Sequence, residues 1–186
     1  MERASYRRRR VDSRRAHGGA VRQDARGRWR RVVGSPAPIA VHEIGVIDEL
    51  VKRGVVVIAC GGGGAPVYRD PKLGLEGVDA VVDKDLVSAV LARDIGASLL
   101  LILTDVDAVY LDYGKPTQRP LATLPVSEAE RLDAAGAFGE GSMAPKVRAA
   151  VEFVRRTRGR AIITELDRGR EAVRGQAGTT ITMDEQ

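Results

Sequence analysis

Two lysines and a pair of aspartates have the setting expected of a site that binds phosphate groups. Asp83-Lys84-Asp85 stands at the beginning of one helix pattern, and Lys146 lies in the first turn of another. The helix dipole favours carboxylates at a helix N-terminus, but it disfavours a lysine there unless a nearby anion compensates the charge. A phosphate bound at the helix N-terminus would supply that anion. Asp85 would then hold Lys84 in place or orient a substrate.

Each of these signals also has a simpler structural explanation. The two aspartates suit the dipole of their helix whether or not a ligand binds, and Lys146 taken alone is equally well a solvated surface lysine. However, two helix N-termini that each carry a lysine after a glycine-containing loop predict two points of contact with a polyphosphate chain. Ser142 is the predicted N-cap of the second helix.

A run of four glycines follows the apolar segment 55–60 and predicts a loop that approaches a ligand closely. Glycine lacks a Cβ atom, so the backbone can turn sharply and bring its N–H groups near a bound group. A flexible turn is the alternative. Because Ala65-Pro66 comes next, the segment is neither a Walker A loop nor a dinucleotide fingerprint. The residues of this loop are Gly61, Gly62, Gly63 and Gly64.

A second apolar run, 99–103, ends in Thr104-Asp105-Val106-Asp107. In open α/β sheets, ligands bind in the crevice at the carboxyl ends of the strands. Thr104 and Asp105 are therefore candidate nucleotide contacts, although capping and loop chemistry explain part of the pattern.

The elements that must position these residues alternate between strand and helix patterns. This alternation predicts an α/β fold, a three-layer α-β-α sandwich around a mainly parallel open sheet. A capping box of Ser127 and Glu130 is expected to begin the helix 128–134. The predicted strands are 55–60, 78–82, 98–103, 161–164 and 178–182, and the predicted helices are 43–53, 86–96, 128–134, one containing 147–154, and 168–173.

Composition limits the possible classes of protein. The chain has 186 residues and a net charge of +5, but residues 1–31 hold twelve arginines and three acidic residues, so the basic character belongs to this arm. We expect residues 1–31 to be a poorly ordered arm and residues 32–186 to be one globular domain. No apolar run has the length of a membrane span, there is no secretory h-region, and the single Cys60 reads as a small core residue. These features predict a cytoplasmic protein.

Four segments together resemble the successive motifs of the carbamate kinases, a branch of the amino acid kinase superfamily. The same enzymes have a Trp-Arg-Arg-Val-Val-Pro-Ser-Pro segment, which resembles residues 29–36, and the similarity runs from about Gly27 to Ile181. It implies the C-terminal portion of an amino acid kinase-like fold. The four segments are VVVIACGGGGAPV, GVDAVVDKDLVSAVLA, LLLILTDVDAVYLDYGKP and GSMAPKVRAAVEFV.

The resemblance implies a reaction and roles for the candidate residues. Carbamate kinases are homodimers that transfer phosphoryl between ATP and carbamate, with Mg²⁺ carried on the nucleotide, and usually make ATP from ADP and carbamoyl phosphate in arginine breakdown. Lys84 and Asp85 match the catalytic lysine and its organising aspartate, and Lys146 matches the lysine on the transferring phosphate. Gly61–Gly64 would border the carbamoyl phosphate pocket, and Thr104-Asp105 the nucleotide.

The chain also departs from the family pattern. The family begins with a long segment containing a strand and a Gly-Gly-Asn phosphate loop that have no counterpart here, and the arm stands where the family has a lid. Gly34, Ala108 and Ala144 replace the usual Pro, Gly and Gly. We therefore expect an N-terminally truncated kinase of very low turnover. The alternatives are an inactive remnant that still binds nucleotide or, with less support, an Arg-rich nucleic-acid-binding module using Tyr6 and Trp29.

Overall fold

A computed structural model of the protein describes residues 21–23, 27–139 and 142–184. The chain divides into two compact units: one combines the residues up to Pro36 with 65–81, and the other combines 37–64 with the residues from Val82 onward. Most of the Arg-rich arm, residues 1–20 and 24–26, lies outside the described residues. The boundary between residues 31 and 32 therefore stays a prediction.

The smaller unit is built from two short antiparallel hairpins. Strand β1 (Val21–Gln23) pairs with β2 (Trp29–Arg31), and β3 (Val67–Asp70) pairs with β4 (Gly74–Gly77). The turn between β3 and β4 is closed by the Asp70 carboxylate, which accepts hydrogen bonds from the backbone amides of Leu73 and Lys72. These two bonds stabilise the ionised form and lower the pKa of Asp70.

The larger unit contains the remaining helices and strands. In chain order they are α1 (Ile44–Lys52), α2 (Lys84–Asp94), β5 (Leu99–Thr104), β6 (Val109–Leu111), β7 (Arg119–Leu121), β8 (Thr123–Pro125), α3 (Val126–Ala134), α4 (Met143–Thr157), β9 (Arg160–Glu165), α5 (Gly169–Val173) and β10 (Thr179–Thr182). A single 3-10 turn, Leu166–Arg168, joins β9 to α5.

A four-stranded sheet in the order β5-β9-β10-β8 forms the centre of this unit. β5 pairs with β9 in parallel and β10 pairs with β8 in parallel, while β9 and β10 are antiparallel. The mainly parallel α/β sheet predicted from the sequence is therefore confirmed. β9 is its most buried strand, since residues 161–164 are fully inaccessible, as expected of a continuous apolar run covered on both faces.

The residues of β5 alternate between the two faces of the sheet. Leu100 and Ile102 belong to the hydrophobic core beneath the helices, which includes residues of α2, α3 and α4. Leu101 and Leu103 point the other way, where both side chains approach Gly169 at the start of α5. Helices therefore lie on both faces, as the predicted three-layer arrangement requires. No helix in the described ranges is long and apolar enough to cross a membrane.

The helices begin differently from the sequence prediction at two places. α3 begins at Val126 without a side-chain cap, and the Ser127 hydroxyl donates instead to the Asp184 carboxylate at 2.6 Å. The predicted capping box is therefore wrong, because Ser127 lies inside the helix and its hydroxyl bonds the Asp184 carboxylate. Ser142 does precede α4, as predicted, but its side chain makes no cap hydrogen bond.

The predicted buried strand 55–60 is also wrong. These residues have no strand partner among the described residues, and Val56 and Ile58 are 91% and 97% exposed. β-Branched residues favour a strand when a neighbouring strand hydrogen-bonds to it and another layer covers its side chains. Neither is found for this segment among the described residues. The predicted strand 78–82 is likewise reduced to one isolated bridge, between Ala80 and Gly34.

The exposed apolar segment 55–60 predicts self-association. Unpaired, β-branched backbone with outward-facing apolar side chains is a template for pairing with another chain. Replacing Ile58 by Lys should therefore shift the protein toward smaller species in analytical ultracentrifugation without lowering its thermal stability. Ile39→Lys is the matched control, because the Ile39 side chain is also 87% exposed but lies outside the segment. An equal shift in both variants would contradict a specific role of the segment.

Candidate active site

The Lys146 side chain is buried and ion-paired at the start of α4. It is only 7% exposed, and its Nζ atom lies 3.1 Å from Oδ2 of Asp85 on α2. The Ser142 carbonyl oxygen, one turn earlier, is a weaker acceptor at 3.5 Å. An ammonium has three N–H donors, so one remains for a ligand beyond the acceptors found among the described residues. The simpler interpretation of Lys146 as a solvated surface lysine is wrong.

The Asp85 carboxylate is shared between two ammonium groups. Besides Lys146, its Oδ2 atom lies 3.4 Å from Nζ of Lys84, whose side chain is 56% exposed. Asp85, Lys84 and Lys146 together carry one net positive charge, which the Asp83 carboxylate at the start of the same helix offsets. Attraction of an anion therefore depends on the half-exposed Lys84 ammonium, which can reorient, and on the helix N-terminus.

Asp83 fixes the backbone that presents this pair. Its carboxylate caps α2 by accepting hydrogen bonds from the amides of Asp85, at 2.8 Å, and Leu86, at 3.2 Å. The helix dipole was the reason given for Asp83 from the sequence. It does not predict this cap, although Asp is among the preferred N-cap residues. Because the cap holds the Asp85 amide directly, it also orients the Asp85 side chain.

The chain path brings the N-termini of α2 and α4 to one end of the sheet. A short connection joins α2 to β5, and a still shorter one joins α4 to β9, so each helix runs back along the strand that follows it. Since β5 and β9 are parallel, both helix N-termini lie at the end where these strands finish. This topology brings together Lys84 and Lys146, the two lysines that were predicted to contact one polyphosphate chain.

The glycine loop packs against the beginning of α2. A Cβ atom on Gly63 would lie 2.2 Å from the Val82 carbonyl oxygen and 3.7 Å from the Lys84 nitrogen. The amides of Gly61 and Gly63 donate to the carbonyl oxygens of Ala59 and Cys60 within the turn. The described backbone hydrogen bonds thus leave the Gly62 and Gly64 amides as the donors available to a ligand.

Thr104 and Asp105 lie at the carboxyl end of β5, on the same end of the sheet as the two helix N-termini. The Thr104 hydroxyl donates to the Asp105 carboxylate at 3.0 Å, and Thr104 is paired in register with Glu165 of β9. The side-chain contacts of these two residues are thus with each other, whereas Lys146 contacts Asp85.

Within the described ranges, no group of three or more His, Cys, Asp or Glu side chains is placed to hold a metal ion.

Comparison with known proteins points to one family. Residues 8–165 match the Amino acid kinase family. The chain is 45% identical over 171 residues to the carbamate kinase of Thermoplasma volcanium, covering 92% of this chain and 55% of that protein. It is 51% identical over 153 residues to the carbamate kinase of Halobacterium salinarum, covering 82% and 50% respectively. The chain thus spans about half the length of the curated relatives it matches.

A solved structure agrees with these sequence relatives. The carbamate kinase from Giardia lamblia bound to AMP-PNP superposes with a TM-score of 0.84 at 43% identity, covering 95% of this chain and 56% of that chain. The same protein bound to citric acid gives a TM-score of 0.84 at 42% identity, with 94% and 54% covered.

The buried ion pair predicts unequal costs for its two partners. Asp85 is the carboxylate that faces the buried Lys146 ammonium among the described residues, so Asp85→Asn should lower the free energy of unfolding by about 3 kcal/mol. Lys146→Met should cost clearly less, because Asp85 keeps the half-exposed Lys84 and the methionine fills the same space. Urea unfolding of both variants measures the difference. Equal costs would contradict the dependence of Lys146 on Asp85.

Gly63 and Gly62 form a matched pair for testing the glycine loop. Gly63 has a φ of +130° and no room for a Cβ atom, so Gly63→Ala should lower stability by about 3 kcal/mol or shift the start of α2. A Cβ atom on Gly62 would meet nothing within 4 Å, so Gly62→Ala should stay within about 0.5 kcal/mol of the wild type. Thermal unfolding compares the two, and a similar loss in both would refute close packing at Gly63.

Proposed function

This chain belongs to the amino acid kinase family, and we propose that it is a carbamate kinase-type phosphotransferase that moves a phosphoryl group reversibly between ATP and carbamate. The observation that carries the proposal is the buried Lys146 ammonium, which shares the Asp85 carboxylate with Lys84 at the N-termini of two helices. Phosphoryl transfer requires mainly positioned positive charge, because little covalent chemistry falls to the protein. The curated relatives named above are carbamate kinases.

In the proposed direction, carbamoyl phosphate and ADP react to give carbamate and ATP. A terminal oxygen of ADP forms a bond to phosphorus, and the bond from phosphorus to the carbamate oxygen breaks with its electron pair leaving on carbamate. Lys84 and Lys146 neutralise the oxygens of the phosphoryl group as it is transferred, and Asp85, whose Oδ2 atom contacts both ammonium groups, holds them near each other. Mg²⁺ enters as part of the nucleotide substrate.

The two substrates are assigned to neighbouring parts of the crevice. We assign carbamoyl phosphate to the Gly61–Gly64 loop, where the Gly62 and Gly64 amides remain as donors, and the nucleotide to Thr104, Asp105 and Lys146. The relative from Giardia lamblia was solved bound to AMP-PNP, an ATP analogue, which supports nucleotide binding as part of the proposed function. We further propose a homodimer in the cytoplasm that serves arginine breakdown, on the strength of the same relationship.

A second candidate function is nucleotide binding without turnover. The specific observation in its favour is the apolar segment 55–60, which lies directly before the glycine loop and leaves Val56 and Ile58 91% and 97% exposed. A loop that follows an unpaired segment is a poorer preorganised phosphate cradle than one that follows a strand held in a sheet.

Measuring ATP formation from carbamoyl phosphate and MgADP, together with calorimetric binding of MgADP, tests both functions. If the chain turns over, Lys84→Ala and Lys146→Ala should each lower kcat by about 10²–10³-fold, since each removes preorganised charge from the transferring group. Lys52→Ala is the matched control, because Lys52 is an exposed lysine paired with Asp48 on α1.

The outcomes separate the two candidates. MgADP binding that Lys146→Ala weakens, without any ATP formation, would support the nucleotide-binding function instead of the kinase. Binding of neither MgADP nor carbamoyl phosphate, in a chain that is folded by circular dichroism, would refute both.

A further inference from the structure

We infer that two buried threonines, Thr164 and Thr179, are positioning residues that hold the nucleotide loop in its binding shape. The nucleotide loop is defined here as residues 104–107. The inference rests on the proposed function for the assignment of nucleotide to this loop, but the contacts that suggest it are independent of that assignment. Neither threonine belongs to a motif recognised in the sequence.

Thr179 ties the base of a hairpin to the central sheet. It begins β10, it is fully inaccessible to solvent, and its hydroxyl oxygen accepts a hydrogen bond from the Val109 amide at 2.8 Å. The same hydroxyl donates to the Leu121 carbonyl oxygen. Val109 and Leu121 are register partners at the open end of the β6-β7 hairpin. One side chain therefore fixes both strands of the hairpin that follows the nucleotide loop.

Thr164 holds the nucleotide loop itself. It lies in β9, fully buried, and its hydroxyl donates to the Asp107 carbonyl oxygen at 3.2 Å. Gly178 makes this arrangement possible: it has a φ of +81°, and a Cβ atom there would lie 2.8 Å from the Thr164 Cβ and 2.7 Å from the Ile163 carbonyl oxygen. The backbone before Thr179 therefore packs directly onto the strand that carries Thr164.

The two threonines restrict the backbone conformations that the nucleotide loop can adopt. Thr104 is held at one end by the β5-β9 ladder, and Val109 is held at the other by Thr179, so only four residues, 105–108, span the gap. Thr164 fixes Asp107 in the middle of that span. A hydroxyl in a fully buried position costs free energy unless it is hydrogen-bonded, and here the Thr164 hydroxyl bonds the loop at Asp107 while the Thr179 hydroxyl bonds the hairpin at Val109 and Leu121. The backbone on either side of Asp105 is thus held at Thr104 and at Asp107.

Isosteric replacement of the hydroxyls tests this role in the full chain. Thr179→Val and Thr164→Val keep the volume but remove the hydrogen bonds, whereas Thr179→Ser restores them. We expect Thr179→Val to speed amide hydrogen exchange over residues 104–111 by about tenfold or more, because buried backbone groups lose their partners. We expect the Kd for MgADP to rise by about tenfold in the same variant, because a loop that must be ordered on binding binds more weakly. Thr179→Ser should recover both values.

Thr157→Val is the matched control for a merely structural effect. The Thr157 hydroxyl also donates to a carbonyl oxygen, of Phe153, and accepts from an amide, of Gly159, but it lies at the C-terminal end of α4, away from the nucleotide loop. It should change neither the exchange of 104–111 nor the Kd for MgADP.

The possible results divide clearly. Unchanged exchange over 104–111 in Thr179→Val and Thr164→Val would overturn the inference, as would an equal rise in Kd in Thr157→Val. If Thr179→Val does not fold, Thr164→Val decides, since it removes a single hydrogen bond. A wild-type chain that binds no MgADP would refute the proposed function, whereas faster exchange confined to the two loop variants would still support the positioning role.

Discussion

The ion pair between Lys146 and Asp85 is the interaction on which the arrangement of this protein's crevice depends. A charged group that leaves water requires a partner of opposite charge and good hydrogen bonds, or its burial is strongly unfavourable. Asp85 meets that requirement for Lys146 from a different helix, although the two residues are 61 positions apart in the chain. The pair can form only when α2 and α4 lie side by side with their N-termini level, so it couples the packing of the helices to the position of the charges.

The surroundings of the pair follow from the same requirement. The Asp83 cap holds the backbone of α2 where the Asp85 carboxylate reaches Lys146, and the small side chains of α4, including Ala149 and Ala150, are fully buried, which lets the helix lie close to its neighbours. Beneath, β9 supplies a strand of fully buried residues from Ala161 to Thr164. A rigid apolar layer under a shared charge limits how far the ammonium groups can drift, and this favours preorganised electrostatic stabilisation.

The loop 104–107, to which we assign the nucleotide, is held by a different kind of contact. Hydroxyl groups from two adjacent, antiparallel strands reach up to the backbone of residues 107, 109 and 121, so the loop is supported by neutral hydrogen bonds rather than by charge. These supports add no charge to a loop that already carries the Asp105 and Asp107 carboxylates. The two sides of the proposed site would then differ in physical origin: cations at helix N-termini on one side, and a backbone loop held by threonines on the other.

The amino-acid sequence by itself determined the fold class, the α-helices, the strands β5, β9 and β10, and the cluster of candidate residues. Apolar periodicity and local glycine and aspartate signals are short-range properties, so β5, β9 and the helices before them could be placed within about two residues, as is usual for element ends. The sequence also indicated Lys84, Asp85 and Lys146 as a set, because lysines at helix N-termini are locally unfavourable.

Only the tertiary structure decided which of these signals are satisfied and by what. Burial of Lys146, the sharing of Asp85, the pairing of Ser127 with Asp184 and the two threonine hydroxyls all join residues far apart in the chain, and no local pattern encodes a partner 57 or 61 residues away. In the segment 55–60, by contrast, the local signal is present but the structure does not satisfy it. Its β-branched run has every local property of a strand, yet a strand exists only when another one hydrogen-bonds to it, and that condition is set by the rest of the fold rather than by the segment itself.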